Sequence, residues 1–82
     1  MGYEYVDEPV QVGVVFRNNV VSPKWFVWND RKYPVKEVTY VWHVRRGEAP
    51  LLYFSVTDGT NLYELKFNQK SLQWFLNRVY VD

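Results

Sequence analysis

The sequence predicts an all-β protein: an antiparallel meander of about six short strands that forms a strongly curled sheet or a small open barrel. Three observations support this prediction. Aromatic residues make up 20% of the 82 residues, and valine far outnumbers alanine and methionine, a composition typical of strands and not of helical bundles. Apolar residues alternate with other residues in several short segments, as on strands with one buried face. Turn-forming residues separate these segments at hairpin spacing.

The chain length fits one domain. We expect residues 10–82 to form this single small β domain and residues 1–9 to form a flexible arm, since that segment carries three acidic residues and no basic one. The chain contains no cysteine, which excludes disulfides and thiolate metal sites. No apolar run approaches the roughly 18 residues of a membrane span, and no signal sequence is apparent. A membrane is therefore not an expected partner.

The N-terminal half begins with the most regular alternation. The alternation in residues 10–16 predicts a strand, which ends before Asn18 and Asn19. Residues 25–28 predict a short aromatic strand. Asn29 and Asp30 then predict a hairpin turn, because both residue types tolerate left-handed backbone. The face of the first strand that we expect to be buried carries Val10, Val12, Val14 and Phe16.

Residues 33–46 form the longest predicted strand, and their alternation changes phase once. Apolar residues occupy odd positions before Lys36 and Glu37 and even positions after them. A one-residue phase shift of this kind indicates a β-bulge, which bends a strand. We therefore expect the even positions to face the core, with Trp42 packed beside Trp74. The even-numbered residues are Val38, Tyr40, Trp42 and Val44.

Asp58 and Gly59 give the clearest turn signal in the chain. They separate two alternating segments, residues 51–57 and 61–67, so we predict a hairpin in which Gly59 has a positive φ. The two predicted core faces carry Leu52, Phe54 and Val56 on one strand and Tyr63, Leu65 and Phe67 on the other.

Residues 71–80 fit two structures. Leu72, Phe75, Leu76 and Val79 have helical spacing, with Ser71 as an N-cap. Alternation of apolar residues at positions 72, 74 and 76 also fits a strand, and residues 79–81 suit one. We favour the strand and keep a C-terminal helix as the alternative.

Residues 25–82 carry a pattern of aromatic and aliphatic residues that resembles a known family. The pattern comprises Phe26, Trp28, Arg31, Tyr33, Val35, Val38 and Trp42, then Thr57, Asp58 and Gly59, then Tyr63, Glu64 and Leu65, and finally Trp74, Phe75, Leu76, Val79 and Tyr80. It is similar to a family of small bacterial domains of unknown function, found alone or at the C-terminus of proteins related to error-prone, Y-family DNA polymerases. That family usually has a glycine in the first hairpin turn, where this chain has Asn29 and Asp30. The resemblance implies a bacterial, cytoplasmic protein with a link to DNA replication or repair.

The residues do not suggest an enzyme. Catalysis needs positioned acids, bases or nucleophiles, and the one histidine, His43, lies in the middle of a predicted strand. The carboxylates are scattered, and the four isolated glycines form no phosphate-binding loop. We therefore predict no catalytic residues, no metal ligands, no cofactor and no small-molecule substrate.

Two kinds of macromolecular partner remain, and a protein is the one we favour. Several strands carry large apolar residues on both faces, and exposed apolar patches on small domains usually mark interfaces, including self-association. The alternative is a nucleic-acid-binding accessory domain, because residues 17–46 have a net charge of +5 and three of the four tryptophans. The candidate nucleic-acid contacts are Lys24, Arg31, Lys32, Lys36, Arg45 and Arg46.

Overall fold

The computed structural model describes residues 2–81, which form seven β-strands. Among these residues the structure contains no helix, and so none that could cross a membrane. The strands are β1 (Gly2–Arg17), β2 (Val20–Trp28), β3 (Arg31–Pro34), β4 (Glu37–Arg46), β5 (Ala49–Thr57), β6 (Leu62–Asn68) and β7 (Gln73–Val81).

The seven strands form one antiparallel meander sheet in the order β3-β2-β1-β7-β6-β5-β4. The first and last strands of the chain are therefore neighbours at the centre, and β3 and β4 are the two edges. The sheet is not closed, although its edges are joined covalently by Val35 and Lys36. The Val35 N–H donates to the Lys24 carbonyl on one side (2.9 Å), and the Lys36 N–H donates to the Thr57 carbonyl on the other (2.8 Å). These two residues carry the chain from one edge of the sheet to the other.

Two hairpins in the first half have two-residue turns with left-handed backbone. Asn18 and Asn19 join β1 to β2, and Asn29 and Asp30 join β2 to β3, all with φ between 51° and 64°. Asn and Asp adopt this conformation more readily than other non-glycine residues. The sequence-predicted hairpin at Asn29 and Asp30 is thus confirmed. Strand β2 continues past Pro23, and its register with β1 shifts beside this residue.

The core lies on one face of the sheet and matches most of the predicted positions. The predicted faces of β5 and β6 are buried throughout, and Val10, Val12 and Val14 pack against them. Phe26 joins this cluster with no exposed surface. Phe16, by contrast, is 63% exposed because the β1–β2 hairpin extends beyond the core.

The second half confirms two predictions and corrects a detail. Residues 73–81 form β7, with Trp74 and Leu76 buried, so the strand and not the helix is right. The hairpin at Asp58 and Gly59 exists, and Gly59 has a φ of 103°. Its loop has four residues, 58–61, and not the three that the predicted segments leave between them, because β6 begins at Leu62.

The predicted N-terminal arm is wrong for residues 2–9, and residue 1 lies outside the described residues. Residues 2–9 belong to β1 and pair with β7 over most of their length, from Gly2 opposite Val81 to Pro9 opposite Phe75. A register irregularity interrupts the pairing at Asp7, which has a positive φ of 48°. The segment is acidic and mostly exposed, and it still forms a strand because backbone hydrogen bonds to β7 need no apolar side chains.

The predicted core position of Trp42 is also wrong. The register of β4 against β5 shifts between Val38 and Tyr40, three positions after the phase change expected near Lys36. Val38 packs against the core, whereas Tyr40 is 65% exposed and Trp42 stacks on Tyr53, which is paired opposite it. One extra residue in a strand turns every later side chain to the other face.

Candidate functional site

The sheet has a second face, turned away from the core, which we call the outer face. Cross-strand pairing arranges its side chains in two rows that run from β4 across β5, β6 and β7 to β1. The first row consists of Trp42, Tyr53, Lys66, Phe75 and Pro9. The second row consists of Tyr40, Ser55, Glu64, Arg78 and Tyr5.

Aromatic rings cover the β4 end of the outer face. Trp42 lies flat on Tyr53, with ring centroids 5.2 Å apart and 10° between the planes. The Tyr40 ring contacts Trp42, with ring centroids 5.5 Å apart and 33° between the planes. Further along the first row, the Lys66 ammonium sits 4.8 Å from the centre of the Phe75 ring, a cation–π contact. The row is therefore an aromatic surface with one positive charge, that of Lys66, between Tyr53 and Phe75.

Glu64 is the one charged residue in the described chain that has no exposed surface. A register irregularity in the pairing of β6 with β7 places Asn77 and Arg78 side by side next to it. The Asn77 amide and the Arg78 Nε (2.9 Å) both donate to Glu64 Oε2. Glu64 Oε1 is buried and has no hydrogen-bond partner among residues 2–81. A buried carboxylate oxygen without a donor is unfavourable, so a donor from outside residues 2–81 that reached this atom would stabilise it.

Arg78 is held from three sides. Its Nε binds Glu64, and its guanidinium carbon lies 4.4 Å from the centre of the Tyr3 ring and 5.4 Å from that of Tyr5. The hydrogen bond and charge of Glu64 raise the pKa of Arg78 above its already high usual value. Arg78 is thus a fixed positive charge, and the N-terminal part of β1 is anchored on it.

A cleft of about 530 Å³ opens on the outer face between the aromatic pair and the buried carboxylate. Trp42 and Tyr53 line one side, Tyr5 and Arg78 line the other, and Glu64 contributes to the lining between them. The cleft therefore combines a flat aromatic wall with a hydrogen-bond acceptor.

The charges lining this cleft are nearly balanced. Lys66 pairs with Asp7 (3.0 Å), and Arg78 pairs with Glu64 (2.9 Å). Arg46 also lines the cleft and forms no ion pair with residues 2–81. The lining therefore carries one net positive charge, at the end of β4.

The structure does not gather the six residues predicted to contact nucleic acid. Arg31 and Lys32 are consecutive on β3 and so point to opposite faces, and Arg45 and Arg46 do the same on β4. Arg31 lies over Tyr33 and Lys32 over Trp25.

Two of the six lie elsewhere again. Lys24 lies at the irregularity where β2 passes Pro23, and its carbonyl binds Val35. Lys36 lies against the loop that contains Gly59. All six are exposed, but they share no single face, and Arg46 is the only one that lines the outer-face cleft.

Sequence reasoning missed the buried carboxylate. Alternation places Glu64 on a face expected to meet solvent, and it assigns no role to Asn77 and Arg78. One signal is present in the sequence: Leu76 and Val79 are both apolar and three residues apart, which breaks the alternation of a strand. That spacing suggests a helix, but in a strand it marks the bulge that brings Asn77 and Arg78 to Glu64.

The site has to be interpreted from its own geometry. Among residues 2–81 no three histidine or carboxylate side chains come together in a group that could hold a metal ion. Comparison of the chain with protein-family models, with curated proteins and with solved structures found no match.

Proposed function

We propose that this chain is a non-enzymatic β module that binds a protein partner through the cleft on its outer face. The observation that carries the proposal is Glu64 Oε1, a buried acceptor without a donor among residues 2–81, on a residue that lines the same cleft as the stacked Trp42 and Tyr53 rings. A peptide segment supplies what this cleft lacks. It brings an N–H or O–H donor for Glu64 and apolar side chains for Trp42 and Tyr53.

The charge of the cleft narrows the kind of segment. Because Arg78 and Lys66 are already paired, Arg46 leaves one positive charge without a counter-ion among residues 2–81. Arg46 would repel a cationic segment, and Glu64 and Asp7 would repel a strongly acidic one. The segment that fits is neutral at its centre, with an amide or hydroxyl donor for Glu64, and carries one acidic residue for Arg46.

Nucleic acid fits this face less well. A bound strand needs several cations that track its phosphates, and the six candidate cations are divided among different faces of the sheet. Two of the three cations in the cleft are neutralised by carboxylates that would repel a phosphate backbone. The basic segment thus offers separate charges where a nucleic-acid interface requires a continuous stripe.

The cellular setting that we propose is a bacterial cytoplasm. Its support is the resemblance of residues 25–82 to the small bacterial domains described above. The link to DNA replication or repair has the same support, and a protein partner from that machinery is compatible with it. Fractionation of bacterial cells that produce the chain, followed by detection in the soluble cytoplasmic fraction, tests the location.

A peptide display library tests the binding function. We expect selection on the wild-type chain to enrich sequences with a hydrogen-bond donor at one fixed position. Synthetic copies of these peptides should bind Glu64→Gln and Trp42→Ala variants about tenfold or more weakly, since each change removes a contact that the peptide uses. Phe16→Ala is the matched control, because Phe16 is an exposed aromatic residue outside the cleft.

Two results would contradict the proposal. One is enrichment of peptides that bind all variants equally. The other is salt-dependent binding of single-stranded DNA that is weakened by Arg31→Ala and Lys32→Ala but not by Glu64→Gln. This second result would favour the nucleic-acid alternative.

A further inference from the structure

The edge strand β4 is exposed in a way that single domains usually avoid. It is ten residues long, whereas the other edge, β3, has four. Residues 38–44 contain no charge, glycine or proline, and Tyr40 and Val41 are 65% and 44% exposed. Natural proteins protect edges with short strands, proline or inward-pointing charges, since an exposed apolar edge pairs with other strands. Beyond the irregularity at Thr39, residues 40–44 of β4 have no such protection.

The regular part of β4 is complementary to itself when two copies run antiparallel. Its register with β5 is continuous from residue 40 to residue 46, after the irregularity at Thr39. Residues directly opposite each other in an antiparallel pair share a face. A two-fold axis that relates two copies of β4 must therefore pass between the two copies of one and the same residue. An axis at His43, the midpoint, uses all of the regular part.

This register pairs compatible side chains on the outer face. Trp42 lies opposite Val44 of the second copy, and Tyr40 lies opposite Arg46 of the second copy. The first pair is apolar, and the second is a cation–π pair that gives Arg46 a contact beyond its own chain. On the other face, Val41 meets the aliphatic stem of Arg45, and the two His43 side chains meet on the axis.

The same register keeps like charges apart. The two Arg46 side chains lie at opposite ends of the paired segment, six residues or roughly 20 Å from each other. Parallel pairing in register would instead place them side by side. Antiparallel pairing of two copies therefore satisfies the unpaired backbone of β4 without a repulsive contact between arginines.

We propose that β4 is a homodimer interface, in which β4 of one chain pairs antiparallel with β4 of a second copy about a two-fold axis through His43. The two sheets then become one continuous sheet of fourteen strands. The interface is formed by backbone groups and by cross-strand pairs on β4, and it does not use Glu64. It is argued from the length and exposure of β4 and not from the proposed peptide binding, although Trp42 and Arg46 belong to both surfaces.

Sedimentation velocity over a series of protein concentrations tests this interface. We expect the wild-type chain to show a monomer–dimer equilibrium. Val41→Lys should raise the dimer dissociation constant about tenfold or more, because it places a charge in the middle of the paired strands. Val15→Lys is the matched control, since Val15 is a valine of similar exposure (39%) on β1, away from this edge. Circular dichroism spectra and melting curves verify that each variant is folded.

A charge exchange tests the register. Arg46→Glu should weaken the dimer, because a carboxylate at this position loses the attraction to the Tyr40 ring. Combining it with Tyr40→Arg should restore the dimer, because positions 40 and 46 of the two copies face each other. A wild-type chain that stays monomeric at every concentration would overturn the proposal. So would a dimer that Val41→Lys leaves unchanged, or a double variant that associates no better than Arg46→Glu alone.

Discussion

Trp42 and Tyr53 lie face to face on the outer side of the sheet, with 10° between their ring planes, while Trp74 is buried on the other side against Phe67 and Phe54. The two tryptophans that the sequence placed in one core are thus separated by the sheet itself. They provide a direct comparison of a structural and a surface role.

Trp74→Ala should cost about 3–5 kcal/mol of unfolding free energy, because it removes a buried ring and leaves a cavity. Trp42→Ala should cost clearly less, since Trp42 is half-buried and its ring contacts are with Tyr53 and the exposed Tyr40. Urea unfolding followed by circular dichroism measures both. Equal losses would mean that Trp42 supports the core.

Gly13 is needed for the packing of Trp25. A Cβ atom at Gly13 would lie 2.0 Å from Trp25 Cε2, well inside contact distance. Gly13→Ala should therefore destabilise the domain by about 1–3 kcal/mol, and combining it with Trp25→Leu should recover part of this loss. Thermal unfolding of the two single variants and the double variant measures the coupling, and strictly additive losses would contradict the contact.

Gly59 is required by the backbone of the β5–β6 loop. With a φ of 103°, a branched side chain is strained, and a Cβ would also approach Lys36 Cδ to 3.3 Å. Gly59→Val should lower stability by about 1 kcal/mol or more. Gly2→Val is the control, because a Cβ there has no neighbour within 4 Å. The same melting temperature for both variants would argue against the loop conformation.

Asp58 makes the stability of this loop depend on pH. Its Oδ1 accepts the N–H groups of Asn61 (2.7 Å) and Thr60 (2.9 Å), and these bonds, the first above all, hold the pKa of Asp58 below its usual range. A lowered folded-state pKa gives stability that is present above the unfolded pKa of about 3.9 and is lost as the pH falls through the folded value.

Asp58→Ala should therefore lower the melting temperature at pH 7, and the gap from wild type should narrow below about pH 4. Melting curves recorded across this pH range measure the gap. A gap that stays constant down to about pH 2 would show that the ionised carboxylate does not stabilise the loop.

The ion pair between Glu64 and Arg78 should be much more costly to break than the one between Asp7 and Lys66. Arg78→Met leaves a fully buried carboxylate without its cation, which should cost about 3 kcal/mol or more. Lys66→Met is the matched change at a pair whose carboxylate is exposed, and it should cost less than about 1 kcal/mol. Adding Glu64→Gln to Arg78→Met should recover stability, as chemical denaturation can measure.

The sequence predicted the core where each strand alternates without interruption. In β5 and β6 every second residue is apolar and buried, so the core positions from Leu52 to Phe67 could be predicted from this alternation alone. The prediction of the core failed where the backbone is irregular. At Thr39 one extra residue reverses the facing of β4, and because both faces of this strand carry apolar residues, the pattern of side chains did not reveal which of them faces the core.

The candidate site was hidden for a related reason. Glu64 is buried because Asn77 and Arg78 come from another strand and share one face at a bulge. The pairing of residues 2–9 with β7 likewise depends on backbone groups from the two ends of the chain, which leave no local pattern. The resemblance of residues 25–82 to small bacterial domains stays a prediction.

The position of β1 beside β7 has a consequence for how the chain folds. Strands β1 to β3 and strands β4 to β7 each form from sequence neighbours through short hairpins, so each group can assemble from local contacts. The sheet becomes whole only when Gly2 and its neighbours meet Val81 and its neighbours, a contact between the most distant parts of the chain. Closing the longest loop is slow, so we expect the two meanders to form early and their docking along β1 and β7 to set the folding rate.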